Sequence, residues 1–153
     1  MTTLIKAADV RTIALGINVS RAAAALPSST IGNIFTVTGG RILIRRLSGL
    51  VITLLSGTNS TSVGITPTLS GGASAPTILS TAGIIPVAVG SPIVSKLDGG
   101  ALIVTVNGSL NPSAGYETVP GSITITTAST VTGTVQWDLT YVPLDAGAQV
   151  VAA

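Results

Sequence analysis

From Thr134 to Tyr141 apolar and polar side chains alternate without a break. Val135, Trp137, Leu139 and Tyr141 fall on one side, and Thr134, Gln136, Asp138 and Thr140 on the other. A period of two belongs to a strand with one buried and one solvated face. Ser122-Ile123-Thr124-Ile125-Thr126 repeats it, which predicts isoleucines inward and hydroxyls outward. Runs of β-forming residues predict further strands, giving the set Ile34–Thr38, Arg41–Leu47, Leu50–Leu55, Val63–Leu69, Thr77–Leu79, Ile84–Val89, Ala101–Asn107, Ser122–Thr127 and Val131–Val142. Between them lie Gly39-Gly40, Gly57-Thr58-Asn59-Ser60, Gly71-Gly72, Ser91-Pro92, Asp98-Gly99-Gly100, Asn107-Gly108 and Pro120-Gly121. Such residues supply positive φ or hold φ at about −65°. Short strands with this punctuation predict an all-β fold, a single antiparallel β-sandwich or barrel-like domain over residues 31–145. Leu50–Leu55 and Ala101–Val106 are apolar on both faces, as in central strands or strands covered by a neighbouring subunit. Pro143 ends the final strand because it cannot donate to a ladder, and residues 146–153 read as a C-terminal tail.

Residues 1–30 have a different pattern. Their helix signal is Arg21-Ala22-Ala23-Ala24-Ala25-Leu26, closed by Pro27, and six residues are too few for a stable isolated helix. The segment reads either as an N-terminal extended arm that docks on something else or as a first strand over Thr12–Val19. It holds Lys6, Asp9, Arg11 and Arg21, a third of all the charges.

Composition then narrows the chemistry. The 153 residues carry seven basic and five acidic side chains, so 8% are charged, against about 25% in ordinary soluble domains. There is no His and no Cys. That excludes a Cys/His zinc site, a Ser-His-Asp or Cys-His catalytic pair, thiol chemistry and disulfides. Asp9, Asp98, Glu117, Asp138 and Asp145 are too scattered for acid–base or hard-metal work, so neither enzyme activity nor a cofactor is expected. A net charge of +2 does not call for nucleic acid or an anionic membrane. No charge occurs from Leu47 to Ser95, yet Gly, Pro, Ser and Thr interrupt that stretch everywhere, and no run approaches the ~20 apolar residues of a spanning helix. Four aromatics cannot build the girdles of a membrane barrel. Lys6, Asp9, Arg11 and Arg21 interrupt the N-terminal region where a signal peptide would need an apolar run, so the sequons at Asn18, Asn59 and Asn107 are read as chance matches.

Arg41, Arg45 and Arg46 form the basic cluster of the chain. On a regular strand Arg41 and Arg45 share a face and Arg46 faces away. Their guanidinium forks suit an acidic surface on another protein, or they pair internally with Asp98, Asp138 or Asp145. Together with Lys6, Arg11 and Arg21 they are the candidate partner or subunit contacts. Trp137 and Tyr141 could stack on a sugar or base, but in a chain so poor in aromatics they are expected in the core. The Ser56–Ser62 and Gly71–Ala75 loops lack the Lys and the strand-to-helix setting of a phosphate cradle. Asp98-Gly99-Gly100 is explained by a hairpin turn without invoking calcium.

A surface with so few charges is left to Ser, Thr, Gly and apolar groups, which do little to keep edge strands apart. An obligate homo-oligomer buries such a surface. The segment Ile34-Phe35-Thr36-Val37-Thr38-Gly39-Gly40-Arg41-Ile42-Leu43-Ile44 and the ending from Val135-Gln136-Trp137-Asp138-Leu139-Thr140-Tyr141-Val142-Pro143-Leu144-Asp145 through Ala146-Gly147-Ala148-Gln149-Val150-Val151-Ala152-Ala153 resemble a group of small virion proteins of tailed bacteriophages. That resemblance covers about 30 residues and implies a head decoration (cement) or minor capsid-associated protein. It would sit on the capsid exterior after synthesis in the host cytoplasm, bind the major capsid protein and associate with itself, with a trimer expected from lattice symmetry. The alternatives are a tail or surface binding module for a host glycan or receptor, and a tail-tube or connector subunit.

Overall fold

The alternation read from the sequence becomes two antiparallel sheets packed face to face, each burying one side against the other. The computed structural model describes residues 6–57, 61–69, 72–73, 77–82, 86–95, 103–104 and 115–153. Helix α1 (Ala7–Leu15) precedes strands β1 (Ile17–Ala25), β2 (Ile31–Thr38), β3 (Ile42–Ser56), β4 (Thr61–Leu69), β5 (Gly72–Ala73) and β6 (Thr77–Ala82). These are followed by β7 (Pro92–Val94), β8 (Ile103–Val104), β9 (Tyr116–Thr118), β10 (Gly121–Thr127), β11 (Thr132–Pro143) and β12 (Gln149–Ala152). The first sheet runs β1-β11-β3-β7-β8, with β9 also on β3, and the second runs β12-β2-β10-β4-β5, with β6 also on β4. The all-β sandwich expected from the sequence is the fold.

β11 sits between β1 and β3 and buries the side foreseen: Val135, Trp137, Leu139 and Tyr141 are all in the core. They meet Phe35 and Val37 of β2, Ile123 and Ile125 of β10, and Val63 and Ile65 of β4 in one hydrophobic cluster. A bulge in β2, between the partners of Ile123 and Thr124, turns both Ile34 and Phe35 inward. Inward isoleucines on β10 match the expected pattern. Thr124 departs from it: on this central strand it is buried, and its hydroxyl donates to the Gly64 carbonyl at 3.4 Å.

Several expectations need correction. The runs Arg41–Leu47 and Leu50–Leu55 are one strand of 15 residues, β3. Gly49 is a packing residue there, opposite Trp137, where a Cβ would come within 3.0 Å of the indole Cζ3. Within residues 6–30 the chain forms a helix and an edge strand, not an extended arm. The helix lies at Ala7–Leu15, not at Arg21–Leu26, and the first strand is Ile17–Ala25, not Thr12–Val19. Alanines at 22–25 prove compatible with a sheet edge because β11 supplies the pairing that a short isolated helix lacks. The expected tail is also structured: β12 pairs with β2, Val150 is buried, and its N–H donates to the Tyr141 hydroxyl at 3.3 Å. Of the predicted strand Ile84–Val89, the described part contributes one bridge, Val87 to Leu55. Most of Ala101–Asn107, the Asp98-Gly99-Gly100 and Asn107-Gly108 turns, and the sequons at Asn59 and Asn107 lie outside the described residues.

Candidate assembly surfaces

The outer face of the first sheet changes character along its length. At one end β1 and β11 present a polar network. Asn18 Nδ2 donates to Ser20 Oγ at 3.4 Å, the Ser20 hydroxyl donates to Asp138 Oδ1 at 2.5 Å, and the Thr140 hydroxyl donates to Asn18 Oδ1 at 3.3 Å. Further along, hydroxyls pair across β3 and β11: Thr53 with Thr134 at 3.0 Å and Ser56 with Thr132 at 2.6 Å. Beside them β3 exposes Leu50, Ile52 and Leu54, at 39%, 38% and 56% of their surface, while Val51 and Leu55 between and after them are buried. The strand is apolar on both sides, as its sequence indicated, and among the described residues nothing covers one of them.

The second uncovered surface is α1. It contains no buried residue, and Val10, Ile13 and Leu15 are exposed at 51%, 61% and 72%. Nine residues fall short of the ~12–15 that hold an isolated helix in water. Two local features fix its C-terminal end. Gly16 takes φ 79°, where a Cβ would lie 2.9 Å from the Tyr141 carbonyl oxygen. Arg45 donates from Nη1 to the Ala14 carbonyl at 2.8 Å, satisfying one of the orphan acceptors at the end of the helix.

The six basic candidates occupy different settings. Arg41 is turned back on its own fold: Nε and Nη2 grip Asp145 at 3.0 and 2.9 Å, Nη1 reaches Glu117 Oε1 at 2.9 Å, and its backbone N–H donates to Asp145 Oδ2 at 2.8 Å. This clamp joins the start of β3 to β9 and to the β11–β12 connection. The hydrogen bonds from Arg41 hold the Asp145 carboxyl below its usual range, and the same pairing raises the Arg41 guanidinium. Asp145 was foreseen as an internal partner; Glu117 was not, because β9 reaches Arg41 only through its pairing with β3. Arg45 and Arg46 are both exposed, contrary to strict alternation, since a β3 bulge leaves Arg45 without an opposite residue between Ile44 and Arg46. Arg21 on β1 donates to the Ala153 carbonyl at 2.7 Å and so ties the first sheet to the end of β12. Lys6 caps α1 without a side-chain bond, and Arg11 is exposed on the helix. The structure therefore places Lys6 at the start of α1, Arg11 on it and Arg45 at its C-terminal end, while Arg41 and Arg21 hold contacts of their own.

Among the described residues no group of three His, Cys, Asp or Glu side chains gathers as metal ligands would, and no helix is long and apolar enough to cross a membrane. Sequence reasoning missed α1 as an element. Its available signals were the alanines at 7, 8 and 14, Asp9 in the first turn and Gly16 just past the end. No protein-family model, curated protein or solved structure matches the chain.

Proposed function

We propose that the protein is a structural subunit of a phage virion, one that associates with itself and binds the capsid lattice as a decoration protein, stabilising the head. The observation that carries the assembly part is the uncovered aliphatic surface: Leu50, Ile52 and Leu54 on a central strand and Val10, Ile13 and Leu15 on a helix that buries nothing. Scattered exposed aliphatics are ordinary in a soluble protein, whereas the row Leu50, Ile52 and Leu54 on one strand, in a chain with 8% charge, fits burial against other subunits. The virion part comes from the two stretches that resemble phage proteins, residues 34–44 and 135–153. A protein of this kind acts by mass action: it binds the assembled lattice in preference to free capsid subunits and so shifts the equilibrium toward the shell.

The glycan-binding alternative gains nothing from the aromatics, because Phe35, Trp137 and Tyr141 are in the core and Tyr116 packs against it. The deciding experiment is labelling of purified particles with an antibody against the protein, or a density map of them. Label on the capsid shell supports the decoration reading; label confined to the tail, or absent from particles, overturns it.

A further inference from the structure

We propose that Arg11, Arg45 and Arg46, gathered at the C-terminal end of α1, form a docking site for a short carboxylate-rich segment of a different protein. The inference rests on the reading above only in that the protein binds another one; it names the residues that do so and the chemistry they select.

Of the seven basic side chains, Arg41 and Arg21 are held by contacts within the fold. Lys6 at the start of α1 is balanced by Asp9, three positions on. Asp9 lies about 160° around the helix from Arg11, so it does not offset that charge. Arg11 and Arg46 are exposed, and among the described residues neither side chain has a hydrogen bond or ion pair. Arg45 uses one of its five N–H donors on the Ala14 carbonyl and keeps four.

The topology brings these three together. Arg11 is one turn before Ala14 on the same flank of the helix, about 4.5 Å along its axis. Gly16, just past the helix, abuts the Thr140 side chain. Thr140 lies opposite Arg46 across the β3–β11 ladder, where Cα atoms stand ~5 Å apart. With Ile44 inward, strict alternation would turn Arg46 into the core and Leu47 out of it. The β3 bulge instead buries Leu47 and leaves both arginines on the surface. Three guanidiniums within roughly 15 Å match four or five residues of an extended chain at ~3.3 Å each.

Guanidinium forks grip carboxylates and phosphates alike, so the surroundings decide between them. Arg46 shares its face with Ser48 and Leu50, and the aliphatic row to Leu54 continues directly from it. All four aromatics are in the core or packed against it, so no base-stacking platform adjoins the arginines. A basic head running into an aliphatic row fits a polypeptide that carries carboxylates beside apolar side chains, not a polynucleotide. A second copy of this chain does not supply such a segment. No five consecutive residues contain two Asp or Glu, and Asp138, Glu117 and Asp145 are already engaged.

The probe is a fluorescein-labelled pentaglutamate peptide with a tail of alternating leucine and serine, titrated with the full chain by fluorescence anisotropy. Wild type is expected to bind it, and more weakly as salt rises. Arg11→Gln with Arg46→Gln is expected to weaken binding about tenfold, with the unfolding midpoint unchanged. Arg21→Gln removes the same net charge as Arg46→Gln alone and is expected to leave binding within about twofold of wild type. Equal losses from Arg21→Gln and Arg46→Gln overturn the site, because net charge alone then explains the affinity. So does a pentathymidylate that binds more tightly than the peptide and loses affinity in the double variant, which assigns the arginines to nucleic acid. A wild type that decorates capsids but does not bind the peptide overturns the site and leaves the virion reading standing. Peptide binding that the double variant abolishes, in a protein absent from particles, upholds the site and overturns that reading.

Discussion

Gly49→Ala adds one methyl group where the first sheet has no room for it. The new Cβ would stand 2.8 Å from Val135 Cγ1 and 3.0 and 3.1 Å from Trp137 Cζ3 and Cε3, all inside the core. The Gly49 backbone lies outside the left-handed region, so alanine meets no strain there, and the ~0.4–1 kcal/mol it gains by restricting the unfolded chain offsets part of the packing cost. Overpacking of this kind costs about 1–3 kcal/mol. Val135→Ala alone removes two buried methyl groups at ~0.8 kcal/mol each and leaves a cavity, about 2–3 kcal/mol in all. In the double variant the alanine at 49 takes up part of the space that Val135 Cγ1 vacates. The two costs are therefore expected to fall short of additive by about 1 kcal/mol or more. Trp137 is the single tryptophan and is 1% exposed, so its emission reports unfolding directly in urea titrations at one fixed protein concentration, with an unchanged m-value as the two-state check. Additivity within ~0.5 kcal/mol would refute the packing argument, because the unfolded-state gain of alanine cancels in that comparison.

Two further outcomes separate turn geometry from turn electrostatics. Gly39 and Gly90 share a positive φ, 76° and 82°, but a Cβ at Gly39 would lie 2.1 Å from the Gly147 carbonyl oxygen whereas one at Gly90 meets nothing within 4 Å. Gly39→Ala is thus expected to cost well over 2 kcal/mol and Gly90→Ala only ~1 kcal/mol, read as midpoint shifts in the same titrations. The Asp145 carboxyl, held low by Arg41, contributes stability that is present above about pH 3.9, the usual carboxylate value, and is lost as pH falls through its depressed folded value. The difference in Tm between wild type and Asp145→Asn should accordingly be constant from neutral pH to about pH 5 and shrink below about pH 4. It should also diminish in high salt, because the pair is solvent-exposed; a difference that grows on acidification would contradict the clamp.

What the sequence made legible was what side-chain period encodes. β11 and β10 declared themselves because their alternation is strict, and a register slip would turn every core residue of β11 to solvent. The parts that escaped depend on neighbours distant in sequence. β3 looked like two strands because Ser48-Gly49 reads locally as a break, and only the opposing Trp137 explains the glycine. β12 looked like a tail because four residues carry no period of their own and become a strand through β2 and the Tyr141 hydroxyl. The Ala-rich run at 22–25 has helical propensity, which the β11 edge overrides. For the same reason the arginine cluster was only half legible: the Asp145 pairing was among the alternatives, but the bulge that exposes both Arg45 and Arg46 has no signature in their sequence.

The placement of the few charges bears on why the remaining surface is apolar. Arg41, Glu117 and Asp145 clamp strand ends together, Arg21 ties β1 to the end of β12, Asp138 accepts from Ser20, and Arg45 holds α1. Each of these joins segments far apart in sequence, where a hydrogen-bonded charge adds geometric definition that apolar contacts lack. Used in this way, such charges no longer serve to repel neighbours, the usual means of keeping sheet faces and edges apart. In the described surface Lys6, Asp9 and Arg11 lie on or next to α1 and Arg46 on the sheet face close to the helix anchor, while the Leu50–Leu54 strip has none. A chain built so can stay soluble if that strip is covered in use.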